Sequence, residues 1–98
     1  MSHQVLFEPA ASRELIEAAG FYNLEQPGLG TAFLDAVEAA LFAVVDNPYA
    51  FPVLLGETRK RVVGRFPYSI LYWFDRTTIH VSALAHHSRR PGYWRERG

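Results

Sequence analysis

The sequence predicts an α+β fold, in which an N-terminal helical hairpin packs on one face of a twisted, mostly antiparallel four-stranded sheet. Two observations carry this prediction. Residues 11–45 place apolar side chains at helical spacing, with a break at Pro27-Gly28. From residue 58 the apolar period shortens to two, as in strands, and the connections become short enough for hairpins. The element order is therefore βααβββ, and 98 residues suit a single domain, 1–98.

The N-terminal half is predicted to form one strand and two helices. Residues 3–7 have the composition of a strand. Pro9 fits the first turn of the following helix, because an N–H at that place would have no partner. Pro27-Gly28 ends this helix, and a second helix with a cleaner apolar stripe begins near Leu29 and ends at Asn47. So few residues join the two helices that they must be neighbours.

The C-terminal half is predicted to form three strands and a tail. Residues 49–57 are a loop, 58–66 a strand with Arg59, Arg61 and Arg65 on one face, and 68–74 a central strand that is apolar on both faces. Residues 75–77 form a hairpin turn, 78–85 the last strand, and 88–98 a basic, aromatic tail with one helical turn. The helices cover one face of the sheet. We place the three arginines on the other face, which is free for function.

Charge is divided unequally along the chain, although its net charge is zero. Residues 1–58 hold one base and eight acids, a net charge of −7, and residues 59–98 hold nine bases and two acids, a net charge of +7. Surfaces without a binding role usually mix the two signs, so the basic half indicates an anionic partner. Eight of the nine bases are arginine, which can grip a phosphate or carboxylate with two hydrogen bonds.

Two groups of residues are candidates for this binding surface. The first is the set of arginines that alternate along one strand: Arg59, Arg61 and Arg65. The second is the basic and aromatic tail: His86, His87, Arg89, Arg90, Tyr93, Trp94, Arg95 and Arg97. Arginines interleaved with aromatic rings suit an RNA backbone with stacked bases, or an acidic protein partner. The alternative is a solvated basic strand whose arginines lie over apolar surface.

The composition argues against metal, disulfide and membrane chemistry. The chain has no cysteine, and few carboxylates lie near His86 and His87, so we predict no metal and no cofactor. Either histidine could act as a general acid or base, and the alternative is a hydrogen bond that caps the end of the strand. Residues 1–4 lack the features of a signal peptide, and the longest apolar run, 39–45, cannot span a bilayer. We therefore expect a cytoplasmic protein without membrane contact.

Three segments together resemble the RelE/ParE superfamily of bacterial toxins, which belong to type II toxin–antitoxin systems. They are V-L-F-E-P-A-A with its acidic helix, R-K-R-V-V-G-R-F-P-Y-S-I-L-Y-W, and A-L-A-H-H-S-R-R-P-G-Y-W-R-E-R. They are similar to the family's opening strand and helix, its basic strand with the following P-Y-x-I-x-Y strand, and its closing strand with a histidine, an arginine pair and a terminal aromatic residue. The resemblance covers essentially the whole chain. It implies one toxin domain, 1–98, that binds a cognate antitoxin and has no sequence-specific DNA binding alone.

The resemblance implies two alternative activities. ParE-like members inhibit DNA gyrase and carry out no known chemistry themselves, whereas RelE-like members are metal-independent endoribonucleases that cut mRNA on the ribosome. If the protein is a ribonuclease, Arg65, His87 and Tyr93 stand at the catalytic positions. In either case, the residues expected to bind the target or the antitoxin are Arg59, Arg61, Arg65, His86, Arg89, Arg90, Tyr93 and Trp94.

Ser69 departs from the nuclease pattern. Well-studied nucleases of the superfamily carry an arginine directly after the first tyrosine of the central strand, where this chain has Ser69 after Tyr68. The spacing shows no base that would activate Ser69 as a nucleophile. Residues 66–72 are more similar to the ParE and plasmid-stabilisation branch, so we favour gyrase inhibition over mRNA cleavage. A third alternative is a non-toxic or degenerate interaction module that is held by its antitoxin.

Overall fold

The computed structural model describes residues 3–97, apart from the side chain of Glu96. In chain order the elements are β1 (Gln4–Phe7), α1 (Pro9–Glu25), α2 (Leu29–Asp46), β2 (Val53–Leu55), β3 (Thr58–Val62), β4 (Tyr68–Phe74), β5 (Thr78–His86) and a short 3-10 helix (Tyr93–Glu96). No helix in this part of the chain is both long and apolar enough to cross a membrane. The predicted domain, 1–98, and the predicted tail, 88–98, also include Met1, Ser2 and Gly98, which lie outside the described residues.

The strands form one sheet in the order β1-β5-β4-β3-β2, and α1 and α2 pack on one of its faces. β1 is parallel to β5, and the other neighbouring strands are antiparallel. The predicted α+β fold is confirmed, with the small difference that the sheet has five strands instead of four. The additional strand is β2, which lies inside the segment that we predicted to be a loop. It could not be predicted, because three residues next to Pro52 are too few to show an alternating apolar pattern.

The basic strand is shorter than predicted. β3 ends before Gly64, whose φ of 49° turns the chain out of the ladder into a conformation that glycine adopts readily. On either side of the turn, Val63 and Phe66 are buried in the core, and their burial holds the turn in place. Arg65 therefore lies in an exposed turn and not on the strand face where the sequence placed it.

The core between the sheet and the helices combines aromatic rings with small residues. On α1 the buried side chains are all alanines: Ala11, Ala18 and Ala19. Their small size lets α1 approach its neighbours closely. From α2, Phe33 places its ring centroid 5.1 Å from the rings of both Phe66 and Tyr68. Edge-to-face contacts of this kind each contribute about 1 kcal/mol beyond the burial of apolar area.

The predicted turn at residues 75–77 connects β4 to β5. The carboxylate of Asp75 accepts hydrogen bonds from the backbone N–H groups of Thr77 and Thr78, each at 2.9 Å. The bond from Thr77, with further bonds from the His80 ring and Thr78, lowers the pKa of Asp75 to about 2. The carboxylate therefore stays charged and keeps both N–H groups bonded across the neutral pH range.

Candidate functional site

The strand register puts two of the predicted binding arginines on the helix-facing side of the sheet. Arg59 pairs with Tyr72 and Arg61 pairs with Ile70, and both partners are buried in the core beneath the helices. Because cross-strand partners share a face, our placement of Arg59 and Arg61 on the free face is wrong. Their alternation along β3 is as predicted, but a period of two does not reveal which face meets the helices.

Arg59 and Arg61 hold the loop before β2 in place. Arg59 Nη1 donates hydrogen bonds to the carbonyl oxygens of Tyr49, at 3.2 Å, and Phe51, at 2.7 Å. The guanidinium of Arg61 lies over the ring of Phe51, 4.8 Å from its centroid. Cation–π contacts and carbonyl bonds of this kind fix the path of the loop against the sheet. In this arrangement the two arginines have a structural role.

On the opposite face of the sheet lies a pocket of about 240 Å³, which we call the free-face pocket. β4 and β5 contribute four of its residues: Ser69, Leu71, Ala85 and, at the end of β5, His86. Its basic residues come from β3 and from the chain at and after the end of β5: Lys60, His86, His87, Arg89 and Arg90. The other lining residues are Leu54 of β2 and four residues of the tail: Pro91, Gly92, Tyr93 and Trp94.

The free-face pocket brings together five tail residues that we predicted to bind a target or an antitoxin: His86, Arg89, Arg90, Tyr93 and Trp94. It also contains His87, whereas Arg95 and Arg97 of the candidate tail are not among its described lining residues. Arg65 does not line it, and its guanidinium lies 5.9 Å from the ring centroid of Phe66. The sequence interpretation missed Lys60 as a site residue. Lys60 alternates with its arginine neighbours, and its cross-strand partner Leu71 belongs to the pocket. The alternation was the signal that could have identified it.

A serine and a histidine meet in this pocket. Ser69 Oγ lies 2.9 Å from His87 Nε2, and Ser69 is only 2 % exposed. The pair forms because Ser69 stands opposite Ala85 in the β4–β5 register, which the sequence spacing does not indicate. His86 is bonded differently, since its Nδ1 accepts a hydrogen bond from the Ser88 N–H at 3.0 Å. Among the side chains that the structure describes, no carboxylate is hydrogen bonded to the His87 ring, and no group of three His, Asp or Glu residues could hold a metal ion.

The tail that forms one wall of the pocket is held by Glu14 of α1. The Glu14 carboxylate accepts hydrogen bonds from the Tyr93 hydroxyl at 2.5 Å, from Arg97 Nη1 at 2.8 Å and Nη2 at 2.9 Å, and from the Leu84 N–H at 3.0 Å. Arg97 Nη2 also donates to the carbonyl oxygen of Ser82 at 2.9 Å. We call the trio of Glu14, Tyr93 and Arg97 the tail clasp. It joins the start of α1, the edge of β5 and the end of the chain.

The tail clasp keeps Glu14 charged and Tyr93 neutral. Burial by itself raises the pKa of Glu14, but the hydrogen bonds from Arg97, Tyr93 and Leu84 outweigh burial, and the pKa lies below its ordinary value. Burial, together with the bond to Glu14, raises the pKa of Tyr93 to about 12. The Tyr93 hydroxyl is therefore engaged and hard to ionise. These properties suit a structural role for the Tyr93–Glu14 hydrogen bond better than a role for Tyr93 in proton transfer.

The geometry defines an α+β protein with a basic, partly aromatic pocket on the sheet face opposite a helical hairpin. No family model and no curated protein sequence matches the chain. Among solved structures, a chain of the structure titled "Chromosomal ParDE TA system from P. aeruginosa" is similar in fold, with a TM-score of 0.75 and 11% sequence identity over 87% of this chain and 96% of that chain. The chain therefore shares its fold with a chain of a ParDE system, which agrees with the fold that the sequence resemblance implied.

Proposed function

We propose that the protein is the toxin of a type II toxin–antitoxin pair, that a cognate antitoxin neutralises it in the cytoplasm, and that it arrests growth by inhibiting DNA gyrase. The observation that carries this proposal is the fold, which is shared over almost the full length of both chains with a chain of a ParDE system. Two of the three sequence segments that resemble the superfamily, 59–73 and 83–97, lie in the strands and tail that contribute to the free-face pocket. Fold and sequence thus support the same assignment independently.

The geometry of the pocket favours binding over RNA cleavage. The three residues that stand at catalytic positions in the ribonuclease alternative have different environments. Arg65 lies outside the pocket, and the Tyr93 hydroxyl is engaged by Glu14. His87 is in the pocket, but its Nε2 is hydrogen bonded to Ser69, where the nucleases carry a transition-state arginine. A protein that inhibits by binding needs none of these groups to stabilise a transition state.

We expect the purified protein to inhibit supercoiling by DNA gyrase, and the product of the neighbouring antitoxin gene to relieve this inhibition. Because Arg89→Ala removes one contact of several, it should weaken inhibition by about fivefold and not abolish it, as expected for a loss of about 1 kcal/mol of binding free energy. Arg76→Ala is the matched control, since Arg76 lies in the β4–β5 turn outside the pocket and should leave potency unchanged. A supercoiling assay over a range of protein concentrations measures the inhibitory potency of the wild type, Arg89→Ala and Arg76→Ala.

The alternative activity, ribosome-dependent mRNA cleavage, would be recognised by a different assay. Primer extension on ribosome-bound mRNA would show cleavage by the wild-type protein, and this cleavage would disappear in Arg65→Ala or His87→Ala while ribosome binding persists. That outcome, together with unaffected supercoiling, would replace gyrase inhibition by the endoribonuclease activity. If neither assay responds and expression of the protein leaves growth unchanged, the protein is a non-toxic interaction module.

A further inference from the structure

The outer edge of β1 is open and apolar. β1 is the first strand in the sheet order, so no other described strand lies beside its outer edge. Its segment Gln4–Phe7 carries no charge, and Val5 and Leu6 are 38% and 57% exposed. Edge strands are usually protected by a charged side chain, a proline or a bulge, because their unpaired backbone groups can bind another chain. The residues of β1 provide none of these protections.

The opposite edge of the sheet is protected. β2 comprises only Val53–Leu55, it follows Pro52, and its ladder with β3 is irregular between its first and last residues. A short strand next to a proline and with an irregular ladder is a poor partner for a further strand. β1, in contrast, pairs with β5 in an unbroken register along its whole length. Of the two sheet edges, β1 therefore suits the addition of a strand better.

The backbone groups that face this open edge belong to Val5 and Phe7. The N–H groups of Gln4 and Glu8 donate inward, to carbonyl oxygens at and just before β5, at 2.8 Å and 3.0 Å. Because successive residues of a strand direct their backbone groups to alternate sides, Val5 and Phe7 present their N–H and C=O groups outward. A second strand can therefore bond to β1 through these two residues.

The sequence of this edge is self-complementary in one antiparallel register. When Val5 lies opposite the partner's Phe7, the two residues exchange both backbone hydrogen bonds, and Leu6 lies opposite the partner's Leu6. In the same register Gln4 lies opposite the partner's Glu8. An amide that can donate a hydrogen bond then faces a carboxylate, and no two like charges meet. A second copy of the chain thus matches the edge in both backbone and side chains.

The surface next to β1 on the helix side of the sheet is also apolar. It forms a hollow of about 320 Å³, lined by one residue before the strand, one residue of the strand and four residues of α2: His3, Val5, Glu38, Leu41, Phe42 and Val45. Phe42 is 69% exposed. In a two-fold contact the same patch of both copies meets, so apolar side chains beside one β1 can be covered by those beside the other.

We propose that two copies of the chain associate through β1, in the antiparallel register that places Leu6 opposite the partner's Leu6, and form one continuous sheet. Because cross-strand partners share a face, the two free-face pockets then lie on the same side of this sheet. β1 and β2 are at opposite ends of the sheet order, so the contact leaves the β2 edge of each copy open. The inference does not depend on the proposed function, since it rests on the β1 edge alone.

A crosslinking experiment tests the register, and it uses the fact that the chain has no cysteine. In the proposed register the two Leu6 Cα atoms lie roughly 4.5 Å apart, a separation that a disulfide can bridge. Under mild oxidation we expect Leu6→Cys to form a covalent dimer. Leu24→Cys, at a position on α1 that is 89% exposed, is the control and should stay largely monomeric. Non-reducing electrophoresis measures the crosslinked fraction, which should differ on the order of tenfold between the two variants.

Sedimentation equilibrium tests the association without a covalent bond. The mass of the wild type should approach twice the chain mass of 11.1 kDa as its concentration rises. Leu6→Glu should weaken the dimer on the order of 100-fold, because it places two carboxylates opposite each other. Leu24→Glu makes the same change away from β1 and should leave the association unchanged. Leu6 is exposed, so the variant should keep a cooperative melt, and Leu6→Cys tests the same contact without added charge.

Three outcomes would overturn the inference. They are a wild type that stays monomeric at its highest soluble concentration, equal crosslinking of Leu6→Cys and Leu24→Cys, and preferential crosslinking of Leu54→Cys, which would assign the contact to the β2 edge. If the wild type dimerises through Leu6 but does not inhibit supercoiling, the proposed function fails and the dimer stands. If a monomeric wild type inhibits supercoiling, the proposed function stands and the dimer fails.

Discussion

Replacing Glu14 with glutamine is expected to release the C-terminal tail and to lower the free energy of unfolding by about 3 kcal/mol, because it leaves Arg97 partly buried without its carboxylate partner. The amide cannot accept the bidentate pair from Arg97 and the bonds from Tyr93 and Leu84 together. Since Tyr93 and Trp94 form one wall of the free-face pocket, growth arrest should be lost while the helices and the sheet remain folded. Chemical denaturation gives the stability, and limited proteolysis shows whether the tail is released.

Glu17→Gln is the matched control for this substitution. Glu17 lies one turn further along α1 and is exposed, so the same chemical change should alter the free energy of unfolding by no more than about 0.5 kcal/mol. If both variants keep a protected tail and wild-type toxicity, Glu14 does not hold the tail. If Glu14→Gln unfolds the whole domain, Arg97→Lys, which keeps the charge but loses the paired bonds, tests the clasp more gently.

The pH dependence of stability provides a second measure of the clasp. The pKa of Glu14 is lower in the folded protein than its ordinary value, so the unfolded chain takes up the proton first as pH falls. The stabilisation is therefore fully present above the unfolded pKa and is lost as pH falls through the folded pKa. Glu14→Gln has no carboxylate at this position, so its free energy of unfolding should fall less than that of the wild type as the pH is lowered. The difference in the free energy of unfolding between wild type and variant should therefore shrink at low pH. Equal differences at neutral and acid pH would contradict the assignment.

The second large effect is expected for Gly30→Ala at the helix–helix contact. A Cβ atom at this position would lie 2.4 Å from the carbonyl oxygen of Ala19 and 2.6 Å from Asn23 Cγ. A backbone oxygen inside a packed hairpin cannot move away without separating the helices, so we expect a loss of about 3 kcal/mol. The shift would also strain the hydrogen bond from the Gly30 N–H to Asn23 Oδ1, which is 2.8 Å long. Thermal and chemical denaturation measure the loss.

Gly20→Ala is a control of the same chemistry with the opposite expected sign. Gly20 is an exposed position inside α1, and a Cβ there meets no atom within 4 Å. Alanine is a better helix former than glycine, so this variant should gain up to about 1 kcal/mol. A Gly30→Ala variant as stable as the wild type would show that the two helices are not in close contact at this position. Such a result would exclude the tight hairpin.

The local patterns of the chain were sufficient to predict most of its elements. The stripe of α2 and its end before Pro48, and the apolar run of β4, depend on neighbours in sequence, and the structure places both elements there. β2 could not be predicted, because a strand of three residues is created by its pairing with β3 and not by its own pattern. The early end of β3, at Val62, could not be predicted for a similar reason, since burial of Val63 and Phe66 overrides the alternation.

The sequence likewise identifies some residues of the candidate site and not others. His86 to Trp94 could be found because the basic and aromatic residues of the pocket cluster in sequence. Glu14 was missed, since its bond to Arg97 joins residues separated by 83 positions. The meeting of Ser69 and His87 depends on the β4–β5 register. A sequence pattern contains no information on such a register until the strands are paired.

The sequence by itself determined the α+β class, the helical hairpin, the alternation along β3 and the basic, aromatic character of the tail, because each depends on local spacing and composition. Only the tertiary structure decided which face of β3 meets the helices. The physical reason is that alternation defines two faces without distinguishing them, and the choice is made by burial of Tyr72 and Ile70 beneath the hairpin. That burial takes Arg59 and Arg61 to the helix side and leaves Lys60 in the pocket.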